Sequence, residues 1–577
     1  MYGWNEKISV VDLIDRRIKE IPLNFELAKS YLGGRGLGVK LLSDNLEAKT
    51  DPLSEDNILI FSVGPITGVA PMSGRHAVIS KSPLTGTIFD CSAGGFFGVA
   101  LKRTGYDALV FLNRSDEPVY LDISEEGIGI KDATEIWGKN TKDTTNILSE
   151  DGGRVACIGR AGERQVPIAN IMSDYVHACG RGGLGAVMGS KNLKAVVIKG
   201  SSKSKPEIKE RELFTRSREE AMRLLKVNAV TSKGLVSYGT PVLVNLINYM
   251  NIMPTENFRK SRFEFSEEVS GEYINKNYEL TRRSCYNCFI ACKRKTKDGL
   301  EVPEYETLWA FGPDCENSDL DLIFEANRLC NDYGLDTISC GSTIACYKEL
   351  TDCDIEDFTG IIEDIGDSRG NRGFLGRGSL EHSREKEDPS ASMHVKGLEL
   401  PGYDPRGALG MALSYATSNR GGCHLRAYMV APEILGVPNL VDRLSFDGKA
   451  GLVQIFQNIL AAVDSLVMCK FSSFALSGEE YAGMLSAITG VNFTSEDLMK
   501  VGERIWNVEK IFNLKEGFSR DDDTLPDRFF GKGGIDKREF DRSLEEYYRF
   551  RGWDEDGVPG RDKMNELRLG ECKISLR

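Results

Sequence analysis

The stretch SSKSKPEIKERE, residues 201–212, divides the chain into two kinds of pattern. It is polar, contains a proline and lacks apolar periodicity, so it reads as a connection between domains. Upstream, short runs alternate with Gly, Pro and Asn turns: NILIFSVGP (57–65), HAVISKSP (76–83), YDALVFLN (106–113), GRVACIG (153–159) and LKAVVIKG (193–200). These runs read as strands. Downstream, LFTRSREEAMRLLK (213–226) and SDLDLIFEANRLCNDYG (318–334) repeat apolar residues every three to four positions, with Ser318 placed to cap the second and Gly334 to stop it. The expected class is α+β, with a β-rich domain over 1–203 and two mainly helical domains over 204–395 and 396–577. The charged, glycine-rich segment DIGDSRGNRGFLGRGSLEHSREKEDPS (364–390) predicts a surface connection.

Composition narrows the function. A formal net charge of −13 and a pI near 5.2 argue against general nucleic-acid binding. The most apolar window, GLVQIFQNILAAVDSLVMCKF (451–471), carries Gln454, Gln457, Asn458 and Asp464 and predicts a buried helix in preference to a membrane span. Fourteen cysteines without an export signal predict a protein of the reducing cytoplasm, its cysteines thiols or metal ligands rather than disulfides. The 60 glycines, about 10% against a usual ~7%, fall in clusters, as they do where backbone must approach something closely.

In RRSCYNCFIACKRKTK (282–297), Cys285, Cys288 and Cys292 are spaced C-x2-C-x3-C. Three thiolates from one turn can hold three corners of a metal centre. Zinc ribbons usually present two C-x2-C pairs, and no second pair exists here. A [4Fe–4S] cluster often takes three local cysteines and one distant one. Spacing leaves the fourth ligand open among Cys315, Cys330, Cys423 and Cys469, and leaves zinc as the alternative metal.

Several further blocks occur in order: MYGWNEKISVVDL, YLGGRGLGVKLL, GPITGVAPMSGRHAVISKSPLTG (64–86), HACGRGGLGAVMGSKNLKAV (177–196), PEYETLWAFG (303–312), NDYGLDTIS (331–339), YDPRGALG (403–410) and YATSNRGGCHL (415–425). With them the chain resembles the tungsten-containing aldehyde:ferredoxin oxidoreductase family over essentially its whole length. The resemblance implies tungsten, or molybdenum, between two pterin dithiolenes, with Mg2+ bridging the pterin phosphates. It also implies a [4Fe–4S] cluster passing electrons to ferredoxin, and oxidation of an aldehyde to the acid with water as oxygen source. Relatives that reduce a carboxylic acid or an aromatic acyl-CoA supply the alternative activity.

Carried onto this sequence, the resemblance makes Cys469 the fourth cluster ligand. It places the two pterin-binding copies at Asn331 to Asp336 and at Asp464 to Cys469. Both depart from the family's D-x-x-G-L pattern, with Asn331 in place of Asp and Val467–Met468 in place of Gly–Leu. The glycine clusters become a cofactor cradle: Arg35 in GGRG, Arg75 in SGR, Ser92, Gly94 and Gly95 in CSAGG, and Arg181, Gly182 and Gly183 in CGRGG. Glu306 and His424 become the acid–base pair beside the metal, with Glu304 a weaker second carboxylate. Relatives can bridge a homodimer through a metal on an E-A-N-H helix; here Glu325 is followed by Arg328, which argues against the metal and leaves a homodimer open.

Overall fold

A computed structural model describes residues 1–124, 126–200, 206–352, 357–571 and 573–576. Among the described residues the first third of the chain forms twelve strands: β1 Lys7–Asp12, β2 Arg17–Pro22, β3 Leu59–Ser62, β4 His76–Lys81, β5 Ile88–Ala93, β6 Ala108–Leu112, β7 Val119–Ser124, β8 Gly127–Asp132, β9 Arg154–Cys157, β10 Ile171–Ser173, β11 His177–Cys179 and β12 Leu193–Ile198. All five runs expected as strands are strands. They build two six-stranded sheets, ordered β2-β1-β6-β3-β4-β5 and β11-β10-β9-β12-β7-β8. Each sheet is antiparallel apart from one parallel pairing, β1 with β6 and β7 with β12.

Alternation along the strands decides what each face meets. Val11, Phe61, Val78 and Phe111 of the first sheet pack with Leu121 and Val196 of the second sheet, and with Ile158 just past β9, in one core. Their neighbours Val10, Ile60, Ile79 and Val110 turn the other way and join the large core shared with the helical half. The first sheet is thus buried on both faces, which is why its central strands read as continuous apolar runs. The helix Gly34–Asn45 lies between this sheet and the helices Lys449–Leu466 and Ser495–Glu516.

Several expectations change. Asp319, not Ser318, caps the helix Leu320–Tyr333, accepting from Leu322 N at 3.1 Å. The apolar 451–471 segment is a buried helix only as far as Leu466, so Cys469 stands past its end. The segment 364–390 is not a plain surface connection but largely short helices, including Phe358–Asp367 and Ser379–Glu385, with Ile365, Leu375 and His382 buried. The helix that opens it starts at Phe358, and Ile361 and Ile362, which precede the segment, form an apolar stripe with Ile365 at helical spacing. The 203/204 boundary lies outside the described residues, and the 395/396 boundary falls inside a hairpin pairing His394 with Glu399. Among the described residues no helix is long and apolar enough to cross a membrane.

Candidate active site

Two helices deliver the ends of the site in the same way. Leu320–Tyr333 ends on Gly334 with φ +75°, and Leu335 N donates back to Cys330 O at 2.8 Å. Lys449–Leu466 ends on Val467 with φ +58°, and Met468 N donates to Val463 O at 3.2 Å. The same left-handed stop serves both. Two residues later the chain is pinned to the β half, Asp336 N to Ile168 O at 3.0 Å and Cys469 N to Met72 O at 3.0 Å. A glycine takes this conformation freely; a β-branched valine pays about 1–2 kcal/mol for it. Val467 is fully buried, and the strain persists because Asp464 and Cys469 flank it in a fixed geometry.

Between these two stops lies a cavity of about 390 Å³. At one end Cys285, Cys288, Cys292 and Cys469 all line it. The loop carrying the first three is tied to the β half by Tyr286 N to Gly95 O at 3.1 Å and by Met72 N to Asn287 O at 3.0 Å. Gly94 must be glycine, since a Cβ there would stand 2.8 Å from Cys285 Sγ. Arg75 stands beside this end, donating to Ser92 Oγ at 2.7 Å and Ser92 O at 2.5 Å. Burial alone would lower its pKa, but Cys469 and Cys285 lead the groups that raise it. Burial raises the thiol pKa of Cys288 to about 11 and lifts that of Cys292 well above its ordinary value, so without metal these are neutral thiols.

At the other end Glu306 and His424 face each other, His424 Nε2 lying 3.5 Å from Glu306 Oε1. Glu306 sits in the first turn of the helix Tyr305–Phe311 and accepts from Gly402 N at 3.0 Å. Burial pushes its pKa to about 8, held back by that N–H and by Arg181. Burial, reinforced by Arg181, Arg420 and Lys470, holds the His424 imidazole well below its ordinary value. At neutral pH the pair is therefore a carboxylic acid beside a neutral imidazole, not an ion pair. Glu304 begins the same helix instead of sharing a strand with Glu306, and is bound to Lys293 at 2.8 Å.

Arg181 joins the first helix stop to the His424 loop, with Nε 3.2 Å from Asp336 Oδ2 and donations to Gly422 O and Glu399 O, each at 2.8 Å. Asn331, Ser92, Asp336 and Asp464 all line the cavity. Arg35 does not; it is fully buried, with a bidentate bond to Glu509 (2.7 and 2.8 Å) and a third contact to Asp464 at 3.3 Å. Three of its N–H groups are directed at carboxylates, one of them that of the cavity-lining Asp464. Gly95 backs His177, while Gly182 and Gly183 back Phe89 and Pro167, all three behind the cavity wall.

A family model described as the aldehyde ferredoxin oxidoreductase N-terminal domain matches residues 8–200, and one described as domains 2 and 3 of the same enzyme matches residues 216–569. The chain belongs to the aldehyde ferredoxin oxidoreductase family. It is 42% identical to the tungsten-containing aldehyde ferredoxin oxidoreductase of Pyrococcus furiosus, over 99% of this chain and 100% of that one. It is 41% identical to the enzyme of the same name from Pyrococcus abyssi, with the same coverage. At 28% identity it also matches the WOR-like subunit of an aliphatic sulfonate oxidoreductase of Pyrococcus furiosus, over 100% of this chain and 99% of that one. The active-site complex of benzoyl-coenzyme A reductase shares the fold, with a TM-score of 0.87 at 24% identity over 99% of this chain and 97% of that one.

This aldehyde ferredoxin oxidoreductase family member is an oxidoreductase, and its cavity contains residues to which sequence reasoning gave no part in the cofactor site, or, for Cys423, only a candidate place among the cluster ligands. Arg420, Cys423, Arg426 and Lys470 line it, as does Asp90. Asp90 accepts from Arg426 at 2.7 Å; burial would raise its pKa, but Arg426, Arg35 and Arg420 outweigh that and hold it far down. Cys423 Sγ accepts from Arg420 at 2.8 Å, and the surrounding arginines lower its pKa against the effect of burial. The one signal available was position, since Arg420, Cys423 and Arg426 bracket His424 within seven residues of SNRGGCHLR. The family's cofactors fit this donor set. Arg420 Nε and Arg426 Nε are buried without protein acceptors, as suits an anionic ligand. The four thiols wall one cavity, although among the described residues no three His, Cys, Asp or Glu side chains converge on a single ion.

Proposed function

We propose that this protein oxidises an aldehyde to the carboxylic acid, with water as the oxygen source and ferredoxin as the final electron acceptor, in the reducing cytoplasm. Cys285, Cys288, Cys292 and Cys469 hold a [4Fe–4S] cluster. Asn331, Asp336, Asp464, Ser92, Arg75, Arg181 and the unpartnered faces of Arg420 and Arg426 would hold a tungsten bis-pterin together with its Mg2+. When bound, that group supplies a two-electron acceptor and a Lewis-acidic oxygen centre.

The chain's own residues supply orientation and proton handling. His424, neutral at working pH, offers an N–H to the carbonyl oxygen. Glu306 in its ionised form takes a proton from water. That form is about a tenth of the population at pH 7 for a group titrating near 8. Conversion of the aldehyde to the acid releases two electrons and two protons. Arg75, beside Cys285 and Cys469 at the cluster end of the same cavity, joins the electron path to the cofactor site.

The observation carrying this reading is that the neutral Glu306–His424 pair and the four cysteines line one and the same cavity. Anaerobic purification, elemental analysis and aldehyde-dependent viologen reduction test it. The expected result is about one tungsten and at least four iron atoms per chain, with turnover. Stoichiometric zinc without iron refutes it.

A further inference from the structure

On the outer side of the cysteine loop the helix Arg211–Val227 and the strap at Pro71 enclose a hollow of about 450 Å³. Arg218, Arg223 and Lys226 wall it together with Pro71, Met222 and Asn287, and Glu219 is the one acidic residue of its lining. The three cations are exposed. The floor belongs to the shell that carries the cysteines. Asn287 lies between Cys285 and Cys288, and Pro71 precedes Met72, whose carbonyl accepts from Cys469 N at 3.0 Å. On the far side of the loop Arg103 stacks on Tyr286, its guanidinium 5.7 Å from the ring centroid, and adds a further positive charge.

We propose that this hollow is the docking site of a small acidic one-electron carrier of the ferredoxin kind, with carrier carboxylates meeting Arg218 and Lys226. The proposal rests on the reading of the four cysteines as an iron–sulfur cluster. A chain of net charge −13 repels acidic proteins at long range, so a productive encounter needs a local positive surface, and electron transfer needs that surface over the cluster. Arg223 is already bonded to Glu220, at 2.6 and 2.8 Å, which leaves Arg218 and Lys226 as the free cations of the hollow among the described residues. Two of the three residues in the basic run behind the cluster motif, Lys293 to Lys295, are already engaged. Lys293 pairs with Glu304 at 2.8 Å, and Arg294 is buried, donating to Val236 O at 2.6 Å.

The test uses the holoenzyme with two electron acceptors, an acidic 2[4Fe–4S] ferredoxin and benzyl viologen. In the double charge reversal Arg218→Glu/Lys226→Glu, the KM for ferredoxin rises at least about tenfold and its salt dependence flattens, while viologen turnover stays within twofold of wild type. Arg211→Glu, at an exposed arginine of the same helix that does not wall the hollow, leaves the ferredoxin KM within twofold. A ferredoxin KM unchanged in the double variant, or raised equally by Arg211→Glu, overturns the docking site. Absence of viologen turnover in the wild type overturns the proposed activity and is distinguishable from either result.

Discussion

Glu306→Gln separates the stability of this protein from its activity. The folded chain holds the Glu306 carboxyl protonated up to a pKa of about 8, whereas the unfolded chain releases that proton near 4.5. Between those values the native state binds the extra proton, so stability falls as pH rises. At about 1.36 kcal/mol per unit, the cost reaches about 4 kcal/mol at pH 8 and stays under about 1 kcal/mol at pH 5. Glutamine keeps an acceptor for Gly402 N and never ionises. The variant should therefore gain stability relative to wild type on going from pH 5 to pH 8. For 577 residues an unfolding entropy of about 2.1 cal/mol/K per residue makes 4 kcal/mol worth about 3 °C in Tm. Thermal unfolding of both proteins at the two pH values reads this directly. The same substitution lowers aldehyde turnover at least about 100-fold, and wild-type turnover rises with pH towards 8. A Tm difference that is identical at pH 5 and pH 8 refutes the assignment of a buried, neutral Glu306.

Cys469→Ala removes the cluster's visible absorbance and iron while leaving far-UV circular dichroism close to wild type; an unchanged iron content excludes Cys469 as a ligand. At Val467 the usual ranking reverses. In an ordinary helix Gly is about 1 kcal/mol worse than Ala, but at φ +58° Val467→Gly should match or exceed Val467→Ala in denaturant midpoint. An alanine variant clearly the more stable of the two shows that the site carries no left-handed strain. His424→Ala retains tungsten by elemental analysis and loses aldehyde turnover; full turnover removes His424 from the mechanism.

The β-rich front and helical rear were legible because strand and helix periodicities are local. NILIFSVGP and LKAVVIKG could only be strands at their length and composition, and both are. The stretch 364–390 misled because glycine and charge dominate its composition, while burial of Ile365 and Leu375 depends on partners far along the chain. The three clustered cysteines were legible for the same reason of locality. Glu306 and His424, by contrast, were named through family motifs; on their own they read as a surface acid and a core histidine.

By itself the sequence determined the elements, the metal-type cysteine spacing and the motifs that mark the family. The tertiary structure decided which side chains share a cavity. It engaged Arg35 with Glu509 and set Arg420 and Arg426 in the cavity lining. It seated Glu306 where desolvation, a property of the surrounding fold, keeps the carboxyl protonated. It also carried Cys469 to the cavity wall that holds Cys285, Cys288 and Cys292. Distance in space and loss of water come from packing across the whole chain, and no window of sequence contains them.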